Sequence, residues 1–409
     1  MRFGVCYYPE QWPEDRWAID AAAMVDLGLE LVRIGEFAWA KMEPTRDSFD
    51  WGWLDRAIET LSSAGLGVVL GTPTATPPVW LMREHPEIMS VASDGRPRPY
   101  GSRRHTCPTS ERFREESVRI VTAMVERYGD DEGVVAWQID NEPGNHDSAR
   151  CWCDPCQNAF TEWLERRYGT IASLNDAWGA EFWSTTYPDF ESIVLPKPTV
   201  TSHSPSLLLA HRRFAADQVI SGLEAQAEII AAGAPAHPFT SNLYFGDREL
   251  NPRRVAGIGG LASCDAYPQG TSGPIEARFN LALHRSAAPT AWVMEHQAGR
   301  INWTERNAHV GEGQVAQWMR EAAAEGMDAF LFFRWRAGRS GQEQYHTGLL
   351  DHHGEPGPSY EEIRKTIGEL ADATPTDAPR AALLWDIEDL WSIDSEVHAP
   401  GATHSALTL

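Results

Sequence analysis

Two short apolar runs in this chain each lead to a glutamate. Residues 134–139 are apolar except for one glutamine and stop at Asp140, Asn141 and Glu142, while residues 290–294 lead in the same way to Glu295. Runs of this length are typical of strands that are buried on both faces of a parallel sheet. In a barrel of such strands the catalytic side chains stand at the carboxyl ends. The pattern therefore predicts two carboxyl groups facing each other across one barrel mouth.

Two facing carboxyl groups are what hydrolysis of a glycosidic bond requires. One must stay protonated to donate to the leaving oxygen, and the other must be ionised to attack the anomeric carbon. Partial burial and like-charge repulsion separate the pKa values of such a pair. The alternative interpretations are a solvated loop acid for Glu142 and a structural ion pair with an arginine for Glu295.

The cysteines provide a second, independent signal. Cys151, Cys153 and Cys156 lie within six residues, and Cys107 lies 44 residues upstream of the first of them. Four thiolates in two clusters suit a structural zinc with tetrahedral geometry. Free thiols that happen to cluster are one alternative, and a redox pair is another. The remaining two cysteines fall in strand patterns and are predicted to be core thiols.

Composition excludes several classes of partner. The chain has 409 residues, a formal net charge of -23 and 42% hydrophobic residues, which describes an ordinary globular protein. The acidic balance argues against nucleic acid and against anionic membrane surfaces as partners. No signal peptide is visible at the start, and no apolar run approaches the ~18 residues of a membrane helix. We therefore predict a cytoplasmic protein whose cysteines are not in disulfides.

The order of elements predicts an α/β fold, a (β/α)8 TIM barrel. Strand patterns alternate with helical patterns and no hairpin pattern intervenes, which favours a parallel barrel over a doubly wound sheet. The predicted strands are residues 2–8, 29–34, 65–72, 134–139, 239–244, 261–267, 290–295 and 329–335. The predicted helices are residues 13–27, 51–64, 111–128, 156–168, 171–178, 205–232, 315–325 and 360–370.

The end of the chain differs from the barrel in composition. We assign residues 1–373 to the catalytic barrel, 374–380 to a linker rich in Pro, Thr and Asp, and 381–409 to the beginning of a second α/β domain that is truncated. Alternating apolar residues at Ala382, Leu384, Ile387 and Leu390 predict a strand there, packed weakly on the barrel exterior or paired with another copy.

Several motifs on different elements form one recognisable set. They are residues 4–13 (GVCYYPEQWP), 32–39, 51–54, 101–105, 137–142, 293–295 and 342–350. Together these motifs resemble the β-galactosidases of glycoside hydrolase family 42. The resemblance covers roughly the first 370 residues, and motifs spread over so many elements are specific.

This resemblance implies a role for each matching position. Glu142 is similar to the general acid/base of the family and Glu295 to its nucleophile. The implied substrate-binding residues are Arg103, Asn141 beside the sugar 2-OH, Tyr267 beside the nucleophile, Trp303 lining the galactose subsite, and Glu343 with His346 on galactose hydroxyls. The family also has a zinc site at Cys107, Cys151, Cys153 and Cys156, and no organic cofactor is implied.

Three functional hypotheses remain open from the sequence. The first is a retaining β-galactosidase that acts on β-galactosides or galacto-oligosaccharides. The second is another retaining glycosidase of the same clan, such as a β-glucosidase, arabinosidase or mannanase, and the third is a non-catalytic sugar-binding barrel. The family resemblance implies a homotrimer. Because the second domain is nearly missing, we expect this chain to be monomeric or poorly soluble instead.

Overall fold

A computed structural model describes residues 1–244, 248–268, 274–370 and 382–396. Its centre is a nearly closed barrel of nine parallel strands in the order β5-β4-β3-β2-β1-β9-β8-β7-β6. The strands are β1 (Arg2–Cys6), β2 (Leu31–Ile34), β3 (Gly67–Gly71), β4 (Val134–Gln138), β5 (Phe239–Thr240), β6 (Asn242–Tyr244), β7 (Leu261–Ala266), β8 (Thr290–Gln297) and β9 (Ala329–Phe333). The predicted barrel architecture is therefore confirmed.

The two shortest strands, β5 and β6, are the two halves of one stave, meaning one of the strand positions around the barrel. Residues 239–244 were predicted as a single strand, but the ladder breaks at Ser241. β5 pairs with β4 on one side and β6 pairs with β7 on the other, so the break occurs where the stave changes neighbours. A bridge between Phe239 and Gly260 links the two ends of the sheet. Eight staves therefore account for the nine strands.

Helices surround the barrel. They are α1 (Glu14–Leu27), α2 (Trp39–Met42), α3 (Gly52–Ser63), α4 (Val79–Glu84), α5 (Glu111–Tyr128), α6 (Asp154–Tyr168), α7 (Ile171–Trp178), α8 (Pro205–Gly233), α9 (Pro252–Gly259), α10 (Pro274–Ala287), α11 (Gln314–Ala324), α12 (Tyr360–Leu370) and α13 (Ile387–Asp394). The predicted helices are all present, and α2, α4, α9, α10 and α13 are additional. None of the helices in the described ranges combines the length and the apolar composition needed to cross a bilayer.

Side-chain alternation along the strands separates the core into layers. In β2, Val32 and Ile34 join the large cluster that packs under the helices, while Leu31 belongs to a smaller cluster with inward residues of other strands. Arg33 follows the inward parity of Leu31 and is fully buried. This alternation delivers a charged side chain into the barrel interior near its carboxyl end.

The long insertion after β4 has its own apolar core. α6 and α7 pack with the start of α8 around Phe160, Leu164 and Phe214, and three of the clustered cysteines lie in the same cluster. The insertion is therefore anchored to the barrel beside the carboxyl end of β4.

The predicted strand after residue 381 is wrong. Residues 382–386 have no regular structure, and the following residues form α13. The Asp386 side chain accepts from the Glu388 backbone N–H at 2.9 Å, which starts the helix, and Ile387, Leu390 and Trp391 bury one face. Spacing of three and four residues is helical, so the alternating pattern was a misreading. The linker predicted at 374–380 lies outside the described residues, and the domain boundaries stay predictions.

Candidate active site

Glu142 stands on a sharply turned segment directly after β4. Asp140 and Glu142 have positive φ values of 56° and 45°, a conformation that residues other than glycine rarely adopt. Arg104 holds this turn by contacting both Asp140 carboxylate oxygens at 3.1 Å and the Asn141 carbonyl at 2.5 Å. The Asp140 N–H also donates to the hydroxyl oxygen of Thr72, directly after β3, at 2.7 Å. These contacts maintain a strained backbone that aims Glu142 into the barrel mouth.

Glu295 lies on β8 and receives a donor on each carboxylate oxygen. Arg33 Nη2 donates to Oε1 at 2.6 Å, and the Tyr267 hydroxyl donates to Oε2 at 2.5 Å. Arg33 also forms an ion pair with the fully buried Glu36 at 2.8 Å. Arginine is positively charged and only donates hydrogen bonds, so its contact favours the ionised form of Glu295.

The two glutamates approach each other closely. Glu142, Glu295 and a third buried acid, Asp265 on β7, each place a carboxylate oxygen within 4.8 Å of the others. Retaining glycosidases hold their two carboxyl groups about 5–5.5 Å apart, whereas inverting enzymes leave about 6.5–9.5 Å for a water. An approach of the nearest oxygens within 4.8 Å is compatible with the retaining arrangement.

Burial changes the protonation behaviour of this group. Burial raises the pKa of Glu295, Arg33 opposes that shift, and the Glu142 carboxyl adds to it. Burial also raises the pKa of Asp265 well above its usual range, and the charges of Glu295 and Glu142 raise it further. The pKa of Tyr267 is likewise raised well above its usual range, first by burial, so its hydroxyl keeps the proton that it donates to Glu295.

The predicted polar residues around Glu142 lie beside it. Arg103 Nη2 donates to Glu142 Oε2 at 2.7 Å and contacts His146 Nε2 at 3.1 Å. The Asn141 Oδ1 atom accepts from Gln138 at 3.1 Å and from Asn242 at 3.1 Å. Its Nδ2 atom is buried and has no hydrogen-bond partner among the described residues. A free, buried amide donor beside the acid is available to a ligand.

The remaining predicted residues form an aromatic and polar wall near Glu295. The Trp303 ring lies 4.7 Å from the Tyr267 ring and 5.0 Å from the His346 ring, between centroids. Trp303 is 40% exposed, whereas His346 is fully buried. Burial lowers the pKa of His346 to about 3, so its ring is neutral near pH 7. Burial raises the pKa of Glu343, while the charge of Arg103 opposes the shift.

The fold thus brings the eight predicted catalytic and binding residues to one end of the barrel. Their individual roles stay predictions. Sequence reasoning assigned no role to Arg33, Asp265, Asn242 or His146. A charged residue inside an apolar strand was the available signal for Arg33 and Asp265, but Asn242 and His146 gave none.

The four clustered cysteines converge as a group. Their sulfur atoms lie within 4.8 Å of one another, with Cys107 Sγ at 3.3 Å from Cys156 Sγ and at 3.6 Å from Cys153 Sγ. The Val91 N–H also contacts Cys151 Sγ at 3.2 Å. Sulfurs bound to one tetrahedral zinc at about 2.3 Å would lie about 3.8 Å apart. The spacing and the all-sulfur donor set therefore fit such an ion.

A parallel barrel with two close carboxyl groups at its carboxyl end is the architecture of a retaining glycoside hydrolase. The chain belongs to glycoside hydrolase family 42, described as β-galactosidase, and the match covers residues 6–373.

Named relatives agree with this family. β-Galactosidase BgaH of Haloferax lucentense is 42% identical over 98% of this chain and 63% of its own length. A β-galactosidase of Thermus thermophilus is 44% identical over 99% of this chain and 66% of its own length. The crystallised β-galactosidase of Halorubrum lacusprofundi superposes with a TM-score of 0.94 at 43% identity, covering 100% of this chain and 64% of that one. The chain spans less than two thirds of the length of these relatives.

Proposed function

We propose that this protein is a retaining β-galactosidase that removes terminal β-D-galactosyl residues by double displacement. The observation that carries the proposal is the pair of carboxyl groups of Glu142 and Glu295, whose nearest oxygens lie within 4.8 Å at the carboxyl ends of β4 and β8. A close approach of this kind supports direct attack by one of the two groups, as in retaining enzymes. The family membership supports the same reaction.

The contacts of the two glutamates support different roles. Glu295 accepts hydrogen bonds from Arg33 and Tyr267, so it is the ionised group and attacks the anomeric carbon. Arg103 donates a hydrogen bond to Glu142 Oε2, and Glu142 is the proposed acid that passes a proton to the leaving oxygen. The bond to the leaving group breaks as the bond between Glu295 and the sugar forms. Glu142 then takes a proton from a water molecule, and the oxygen of that water attacks the anomeric carbon. This attack breaks the bond between Glu295 and the sugar, releases galactose and regenerates Glu295.

The other site residues would recognise the sugar. The free Asn141 amide donor is suited to the 2-OH, a contact that strengthens in the transition state. Trp303 offers a half-exposed ring beside Tyr267, and Glu343 and the neutral His346 follow β9. Small β-galactosides or galacto-oligosaccharides are the proposed substrate class, because the relatives are named β-galactosidases.

We also propose a structural zinc held by Cys107, Cys151, Cys153 and Cys156. The ion would cross-link the segment that carries Arg103 to the insertion that follows Glu142. The mutual approach of the four sulfurs within 4.8 Å supports it. A thiolate site of this kind suits a reducing compartment, which supports the proposed cytoplasmic location. The oligomeric state of this chain stays a prediction, and light scattering is the measurement that tests it.

A panel of nitrophenyl glycosides tests the function. Wild-type protein should release nitrophenol from the β-galactoside much faster than from the β-glucoside, the β-mannoside or the α-arabinoside. The Glu295→Ala variant is the matched control for contaminating activity. Faster turnover of the glucoside or mannoside would show that the site recognises glucose or mannose instead of galactose. An inactive but folded wild-type protein that still binds galactose would favour the sugar-binding barrel.

A further inference from the structure

Asn242, at the start of β6, lies at the centre of a buried polar cluster behind the proposed acid. Its Nδ2 atom donates to Asp265 Oδ2 at 2.6 Å and to Asn141 Oδ1 at 3.1 Å. Its Oδ1 atom accepts from Gln138 Nε2 at 2.8 Å and from the Glu142 N–H at 3.2 Å. The side chain is fully buried. Asn242 therefore uses both ends of its amide and connects four neighbours.

The neighbours of Asn242 determine which way its amide faces. The two ends of an asparagine amide have nearly the same shape, so its orientation depends on hydrogen-bond partners. The Glu142 backbone N–H is always a donor and requires the Asn242 oxygen. Asp265 Oδ2, at 2.6 Å, accepts from the Asn242 nitrogen and fixes the opposite end.

The orientation of the Asn242 amide also determines the orientation of Asn141, the residue proposed to face the sugar. Because Asn242 presents its N–H₂ group to Asn141, the Asn141 oxygen turns toward Asn242 and also accepts from Gln138. The Asn141 nitrogen is then the end without a partner among the described residues. A flipped Asn242 would favour a flipped Asn141, which would present an acceptor where a donor now lies.

Asp265 is suited to anchor this arrangement. It is fully buried on β7 and has a carboxylate oxygen within 4.8 Å of those of Glu142 and Glu295. Its Oδ1 atom has no hydrogen-bond partner in the described part of the chain. Burial, together with the charges of Glu295 and Glu142, raises the pKa of Asp265 well above its usual range. Asp265 therefore offers Asn242 an acceptor, Oδ2, to which no other described residue donates a hydrogen bond.

We propose that Asp265 is a positioning residue that, by accepting from Asn242, orients the amides of Asn242 and Asn141 so that Asn141 presents its N–H₂ group to the sugar 2-OH. Asn242 transmits this effect and also holds the Glu142 backbone. The inference rests on the proposed galactosidase reaction and adds to it the origin of 2-OH recognition.

The test compares an activated aryl β-galactoside with its 2-deoxy analogue. The ratio of their kcat/KM values measures the contribution of the 2-OH and is insensitive to a uniform loss of active protein. Asp265→Leu removes the acceptor at similar volume, and Asn242→Asp removes the amide donor. In each variant the ratio should fall at least about tenfold toward unity, because the 2-OH contact contributes mainly in the transition state.

Two further variants complete the design. Asp265→Asn retains an oxygen that accepts from Asn242, so it should keep the ratio within a few-fold of wild type. Ser263→Ala removes another buried polar group from β7, one that contacts Thr240 at 2.9 Å, and is the matched control. It should not change the ratio.

The outcomes separate this inference from the proposed function. An inactive wild-type protein would contradict the function itself. A wild-type galactosidase whose ratio persists in Asp265→Leu or in Asn242→Asp would overturn the positioning role. If Asp265→Leu does not fold, Asn242→Asp and Asp265→Asn carry the test. A ratio that falls as far in Asp265→Asn as in Asp265→Leu would show that the acceptor of Asp265 does not orient the amides, and would overturn the positioning role.

Discussion

Glu142 and Glu295 are both buried, but their hydrogen-bond donors distinguish them. Glu295 accepts from a buried arginine at 2.6 Å and from a tyrosine at 2.5 Å, whereas Glu142 accepts from Arg103 at 2.7 Å. Removal of the nucleophile leaves space at the anomeric carbon for a small anion. Glu295→Ala should therefore abolish turnover of all galactosides, and added azide should yield an α-galactosyl azide. NMR of the product identifies the anomer, and a β-azide would reverse the assignment.

Glu142→Ala should affect substrates according to their leaving groups. A sugar leaving group needs a proton from Glu142, while an activated aryl group departs without one. We expect kcat/KM to fall about 10²–10⁴-fold for lactose and far less for a dinitrophenyl galactoside. Steady-state kinetics on both substrates measure the difference, and equal losses on the two would contradict the role of Glu142 as acid.

Tyr267 should control the pH at which Glu295 becomes competent. Glu295 reacts only when ionised, so activity falls as pH decreases through its pKa. The Tyr267 hydroxyl lowers that pKa, and Tyr267→Phe should raise it and move the acid limb of kcat/KM to higher pH. Tyr128→Phe, which removes a hydroxyl bonded to Asp55 at 2.9 Å on an outer helix, is the control. An acid limb that stays in place would show that the hydroxyl does not stabilise the carboxylate.

Single catalytic residues could be predicted from the sequence where their role depends on their position along one strand. Glu142 and Glu295 were recognisable because each follows an apolar run. The importance of Asn242 depends on partners 101 and 23 residues away in the chain, Asn141 and Asp265. Such contacts arise from barrel register, which a single sequence does not specify. His146 depends in the same way on where Arg103 folds back beside Glu142.

Among the elements, the insertion after β4 has the clearest separate role. Three of the four clustered cysteines belong to the small core around α6, α7 and α8, and Cys153 packs against it. Protein purified without added zinc should contain about one equivalent, and Cys156→Ser should lose it together with thermal stability. Activity should fall as well, because Arg103 precedes Cys107 by only four residues. Cys264→Ala, a buried thiol outside the cluster, is the control and should retain the metal.

Element prediction failed where two periodicities compete. The apolar residues Ala382, Leu384, Ile387 and Leu390 suggested a strand, but the three-residue step from Ile387 to Leu390 also fits a helix. The helix prevails because Asp386 caps it and Trp391 extends its apolar face. The split between β5 and β6 was missed for a different reason. An apolar run shows that a stave exists, yet it does not show where the stave exchanges one neighbour for another.

Over the whole molecule, the barrel fold and the acidic net charge have separate origins in the sequence. The net charge of -23 favours solubility and repels polyanions, whereas the parallel ladder arises from apolar runs separated by helices. Because strand and helix alternate so regularly, the barrel could be predicted from pattern alone. The position of the chain segment after the barrel could not, since it depends on one tryptophan and a few ion pairs with α8.

That last segment gives a prediction about cooperativity. Trp391 is buried, packs its ring 5.5 Å from the Arg212 guanidinium and donates to the Arg248 carbonyl, while Arg213 bonds Glu388 at 2.5 Å. Truncation of a buried tryptophan costs about 3–5 kcal/mol, which is enough to release a single docked helix. Trp391→Ala should therefore accelerate amide hydrogen exchange across α13 at least about tenfold while the barrel strands stay protected.

The same substitution should leave catalysis intact, because every proposed site residue lies at or before His346. Leu384→Ala is the matched control, since Leu384 is 97% exposed and its loss should change neither exchange nor turnover. Hydrogen exchange and kcat/KM are measured on the same samples. A drop in kcat/KM in Trp391→Ala would show that α13 supports the active site through α8. Unchanged exchange would show that the ion pairs of Arg212 and Arg213 hold the helix without the tryptophan.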